Sequence, residues 1–123
     1  IVRMESPIQH FSRVATRDVD LGEGVVIPAG ARVVVSYASA NRDERRFDNP
    51  DQFDIGRKGN SHLAFGAGNH SCAGQNLARL EGHALFTALT ERVARFELVG
   101  EPVRRLYNMT RSFSRLPVRA VAG

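Results

Sequence analysis

Phe65-Gly66-Ala67-Gly68-Asn69-His70-Ser71-Cys72-Ala73-Gly74 is the stretch on which the rest of the chain is arranged. It carries three glycines, one histidine and the sole cysteine of the sequence, and it ends where a helical pattern begins. Cysteine binds metals and attacks carbonyls as the thiolate, a form that needs positive potential at neutral pH. A helix start supplies such potential through unpaired N–H groups and the macrodipole. Glycines at 66, 68 and 74 allow positive φ and close approach of the backbone to something flat or bulky. The pattern predicts a cysteine on a glycine-shaped loop, aimed outward from the head of a helix.

Three chemistries fit that loop. Cys72 could be a buried structural cysteine beside a turn. It could be a nucleophile, in a cysteine-dependent hydrolase or a thiol redox protein, with His70 or His62 as base; no orienting carboxylate is obvious nearby. Or it could be the axial thiolate of a haem iron, pushing electron density onto the metal.

Phe65, Gly66, Gly68, His70, Cys72 and Gly74 fall on a phenylalanine–glycine–x–glycine–x–histidine–x–cysteine–x–glycine pattern, followed by Leu77-Ala78-Arg79-Leu80-Glu81. In these residues the chain resembles the cytochrome P450 family of haem-thiolate monooxygenases, bacterial type. The resemblance implies haem b, with Cys72 as iron ligand and Phe65, Gly66, Gly68, His70, Gly74 and Arg13 around the cofactor. It implies that Gln75 and Arg79 face a ferredoxin or flavin reductase as electron donor, and that Ile8, Phe11 and Phe113 line the pocket of a small apolar organic substrate oxidised with O2.

Composition is compatible with this expectation. Hydrophobic content of 42% and charged content of 24% are those of an ordinary globular domain. A single cysteine forms no internal disulfide, and no apolar run approaches a membrane span, so a cytoplasmic protein is expected. The net charge is +4, carried by arginine with Lys58 as the one lysine. The arginines are scattered without aromatic interleaving, so an acidic protein partner is expected rather than nucleic acid.

The N-terminal Ile1-Val2-Arg3-Met4-Glu5-Ser6-Pro7 reads as a last helical turn stopped by proline. In the resembled family a glutamate–x–x–arginine pair precedes such a proline. Arg3 would be that arginine, with the glutamate one position before Ile1. Residues 1–123 are accordingly expected to be the C-terminal, haem-binding portion of the family's domain, without its distal half and inactive alone. Apolar surface left uncovered in such a piece predicts a homo-oligomer.

Gln9–Thr16, Val25–Ile27 and Arg32–Tyr37 are rich in β-branched residues and broken by Gly22, Gly24, Pro28 and Gly30, which predicts a small antiparallel sheet. Ser39–Arg57 is polar and turn-rich, resembling the family's meander; where the family completes a glutamate–arginine–arginine cluster with arginine or histidine, this chain has Gln52, a departure that can hydrogen-bond but carries no charge. Lys58–Ala64 leads into the cysteine loop. Beyond Cys72, Leu77, Leu80, Ala84, Leu85, Ala88, Leu89, Val93 and Phe96 recur at three- and four-residue spacing, predicting an amphipathic helix of about six turns, with Phe96–Val99 open to an extended reading. Val103–Gly123 reads as short extended pieces resembling a C-terminal β-hairpin, with Pro117 at an edge. The expected class is α+β.

Overall fold

The computed structural model describes every residue except Gly59 and Asn60, so that part of the Lys58–Ala64 lead-in lies outside the described residues. The chain divides into two units, Ile1–Ala64 with Asn108–Thr110, and Phe65–Tyr107 with Arg111–Gly123.

The first unit begins with a single helical turn, α1 (Val2–Glu5), ended by Ser6 at φ 39°. Strand β1 (His10–Val14) pairs antiparallel with β4 (Arg32–Ser36), Arg13 standing opposite Val33. Between them β2 (Val19–Asp20) and β3 (Val26–Ile27) form a hairpin of their own. The expected sheet is therefore two separate two-stranded ladders. Gly22, Glu23 and Gly24 all take positive φ in the hairpin turn, and the Asp20 carboxylate accepts the Gly22 N–H at 2.8 Å. Tyr37, expected at a strand end, instead opens a short helix, α2 (Tyr37–Ala40), whose N-cap Ser36 hydroxyl accepts the Ser39 N–H.

The core of this unit is small and partly polar. Tyr37 and Phe47 are its buried apolar residues, joined by buried Arg3, Ser6 and Asn41. Asn41 donates from Nδ2 to Ser6 Oγ at 2.9 Å and accepts the Leu63 N–H on Oδ1 at 2.7 Å. Ser6 Oγ donates to the Arg3 carbonyl, and the Arg3 guanidinium lies 4.9 Å from the Phe47 ring centroid. The buried side chains of Arg3, Ser6 and Asn41 are tolerated because each has a partner.

The second unit holds the cysteine loop, helix α3 (Gln75–Arg92) and four strands. β5 (Val93–Leu98) pairs antiparallel with β8 (Val118–Ala122), and β6 (Val103–Arg104) with β7 (Phe113–Arg115). The 18 residues of α3 make five turns, not six. Val93 and Phe96 satisfy the helical period, but they pair with Ala122 and Ala120 in the ladder. The tail does contain a hairpin strand, β7, but the last strand returns to β5. No helix among the described residues is long and apolar enough to cross a membrane.

Candidate haem-thiolate site

The loop before α3 is built by backbone bonds. The Phe65 carbonyl accepts the Cys72 N–H at 2.7 Å, closing the stretch into a ring. Inside it Gly68–His70 makes one 3-10 turn, in which the Ser71 N–H reaches the Gly68 carbonyl at 3.0 Å. Gly66 has φ +70°, and a Cβ there would lie 2.4 Å from the His70 carbonyl oxygen, so only glycine fits. The Cys72 carbonyl then accepts the Gln75 N–H at 3.2 Å, fastening the loop to the first turn of α3.

Cys72 is exposed, and its thiol is free. The reading of it as a buried structural cysteine is therefore overturned. No acidic residue occupies the first turn of α3, so no carboxylate there competes for the positive end of the helix. Gly74 offers no side chain beside the sulfur; a Cβ built on it would sit 4.0 Å from Sγ. Among the described residues no cluster of three His, Cys, Asp or Glu could hold a metal by itself. An exposed thiol on a loop closed by backbone hydrogen bonds, with glycine beside it, fits a flat metal complex to which the protein gives one ligand.

The other expected residues divide between the units. Phe65, His70, Gln75 and Arg79 share the second unit with Cys72. His70 is exposed at the end of the 3-10 turn, and Phe65 is half-buried with the Arg79 guanidinium 5.1 Å from its ring centroid. Phe113 lies in β7 of the same unit, under the Arg104 guanidinium at 3.7 Å. Ile8, Phe11 and Arg13 belong to the first unit. Ile8 bridges to Thr110, and Phe11 stacks edge-to-face on Tyr37 at 6.0 Å. Arg13 is half-buried, donates to the Ser12 carbonyl at 2.9 Å and lies 5.8 Å from the Phe11 ring. His62 Nδ1 accepts the Ala64 N–H at 3.2 Å.

Gln52 is exposed and contributes its backbone carbonyl, which with those of Asp48 and Asn49 accepts from the Arg57 guanidinium. Arg57, not Gln52, lines the cleft of about 270 Å³ that Arg3 faces, together with Phe53 and Ile55. Burial, and then the charges of Arg57 and Arg42, push the Arg3 pKa below its ordinary value, with Asp51 opposing. Asn41 was also missed. The sequence carries no cue for it, because the short helix α2 that it caps was itself read as a strand end.

The family model of cytochrome P450 matches residues 1–120. The chain belongs to the cytochrome P450 family. It is 48% identical over 118 residues to cytochrome p450 CYP199A2 of Rhodopseudomonas palustris, a match that takes in 96% of this chain and 28% of that protein. Over 118 residues it is 41% identical to linalool 8-monooxygenase of Pseudomonas putida, covering 96% of this chain and 29% of that one. Among solved structures, P450 OxyD, involved in the biosynthesis of vancomycin-type antibiotics, superposes with a TM-score of 0.92 at 41% identity. That superposition covers 99% of this P450 chain and 31% of OxyD. The chain thus spans less than a third of the P450 relatives it matches, and within that span its mixed helices and small antiparallel sheets are those of the P450 fold.

Proposed function

We propose that residues 1–123 are the cysteine-ligand portion of a bacterial haem-thiolate monooxygenase, with Cys72 as the proximal ligand of haem b. The observation that carries this reading is the free, exposed Cys72 thiol on a loop closed by the Phe65 carbonyl and fastened to the head of α3. Thiolate-bound haem supplies the activation of O2 with two electrons and two protons, one oxygen atom entering an apolar organic substrate and the other leaving as water.

The residues of the chain have distinct parts in that reading. Phe65 shields the sulfur, and the rigid loop holds Cys72 in one orientation. His70 and Arg13 give charge-assisted bonds to the haem propionates. Gln75 and Arg79 face the donor, a ferredoxin or flavin reductase with acidic character. Ile8, Phe11 and Phe113 line the substrate pocket. The oxygen-activating side of the enzyme lies outside these residues, so the chain alone is expected not to turn over. A cytoplasmic location belongs to the same reading.

The test is the absorbance spectrum of the chain with haem, reduced and exposed to carbon monoxide, beside Cys72→Ser. A red-shifted Soret band that disappears in the variant is expected. The same unshifted band in both proteins would overturn thiolate ligation.

A second reading rests on the apolar surface. Leu77, Leu80, Leu85 and Phe86 on α3 are all more than half exposed. Such a surface favours self-association, and we propose a homo-oligomer of the chain as it stands. Light scattering across a concentration series tests this; a monomer at every concentration would sink it.

A further inference from the structure

Arg79 stands in the second turn of α3, four residues after Gln75. Helical side chains slant toward the N-terminus, so Arg79 covers the turn before its own Cα and the loop beyond it. Its guanidinium reaches the Phe65 ring, 5.1 Å from the centroid. Phe65 in turn binds the Cys72 N–H through its carbonyl at 2.7 Å, and the Cys72 carbonyl binds the Gln75 N–H at 3.2 Å. These contacts form a closed circuit: helix to ring, ring residue to cysteine, cysteine back to helix. Arg79 is the one cationic side chain in that circuit.

We propose that Arg79 is a positioning residue for the Cys72 ligand, clamping the loop through Phe65 and placing a fixed positive charge in the ligand's surroundings. The inference rests on the haem-thiolate reading and goes beyond donor docking. A docking charge alters how fast a partner delivers electrons. A clamp with fixed charge also alters the resting centre when no partner is present. One-electron reduction makes the ligated centre more negative by one charge, so a nearby cation favours the reduced form. Removing that cation shifts the potential negative.

The test uses Arg79→Met, which keeps length and loses charge, and Arg79→Lys, which keeps a cation for the ring face. The first readout is the reduction potential of each haem-loaded chain, without donor. Arg79→Met is expected to lower the one-electron equilibrium constant about threefold, or about 28 mV at 59 mV per tenfold. Arg79→Lys is expected to stay near the parent. Equal potentials in all three, or Lys falling as far as Met, would overturn the charge.

The second readout is hydrogen exchange of the Cys72 amide in the haem-free chain, which is expected to quicken in Arg79→Met and to be rescued by Lys. Unchanged exchange would overturn the clamp. The two readings separate cleanly. If the parent chain gives no thiolate-type band with carbon monoxide, the haem reading fails, while the exchange measurement still decides whether Arg79 clamps the loop.

Discussion

Arg3 donates from Nη1 to the backbone carbonyl of Asn41 at 2.7 Å across 38 positions of sequence. The bond is buried, and so are both residues. It joins α1 to the end of α2, and the side chain of Asn41 extends the join to Ser6 and Leu63. Asn41→Leu would leave the Leu63 N–H without its acceptor and remove the donor to Ser6 Oγ. Each stranded buried group costs about 1–3 kcal/mol, so a loss of about 2–4 kcal/mol is expected. Urea unfolding followed by circular dichroism checks it. A midpoint equal to the parent's would mean that the amide is a bystander.

Two glycines of the cysteine loop separate strain from collision. Gly68 has φ +57° with nothing within 4 Å of a built Cβ, whereas Gly66 combines φ +70° with a 2.4 Å approach to His70. Gly68→Ala is expected to cost about 1–2 kcal/mol, the penalty of a left-handed L-residue. Gly66→Ala must displace the loop backbone as well, and the thiolate-type spectrum is expected to be lost with it. Thermal midpoints and carbon monoxide spectra of both variants provide the comparison.

Asp43 supplies a pH test in the first unit. Side-chain and backbone hydrogen bonds from Arg45 hold its carboxyl well below the usual range, at about 2. A folded-state value below the unfolded one stabilises the fold above about pH 4 and loses that contribution as pH falls through about 2. Because the pair is exposed, the energetic effect is small. The carboxyl carbon shift of Asp43 should titrate near 2, and in Arg45→Met it should move up toward 3.8.

The exposed leucines of α3 predict an unusual tolerance. Leu80 is 66% exposed, so Leu80→Gln should change the unfolding free energy by no more than about 0.5 kcal/mol. The same change should weaken self-association. Denaturant unfolding and sedimentation of the one variant measure the two effects separately.

Much of the fold was legible because local chemistry agreed with the final structure. Glycine and proline punctuation marked the strands of the first unit, and leucine spacing marked α3. The end of α3 was legible only in part: an extended Phe96–Val99 was open, but the strand starts three residues earlier, at Val93. Val93 and Phe96 fit both a helical stripe and a β-branched or aromatic strand, and pairing with Val118–Ala122, far along the chain, decides between them. The cysteine loop was legible in its backbone, since Gly66 and Gly68 take the positive φ that glycine permits, whereas its thiol fitted three chemistries and only the family resemblance ranked them. Arg57 and Asn41 were not legible. Their roles depend on what folds against them: the turn at Asp54–Gly56 brings Arg57, not Gln52, to the cleft that Arg3 lines.

Helix α3 passes into β5 without an intervening residue: the Val93 N–H still bonds to the Leu89 carbonyl, while Gly123 donates to the Arg92 carbonyl at 3.2 Å. The length of this segment is therefore geared at both ends. One residue more or less in the helix would swing its head, with the Cys72 loop attached, by about 100° about the axis. Absorbing the change in the strand instead would turn every side chain of β5 to the opposite face. Drift by substitution is open to this segment; drift by insertion or deletion is not.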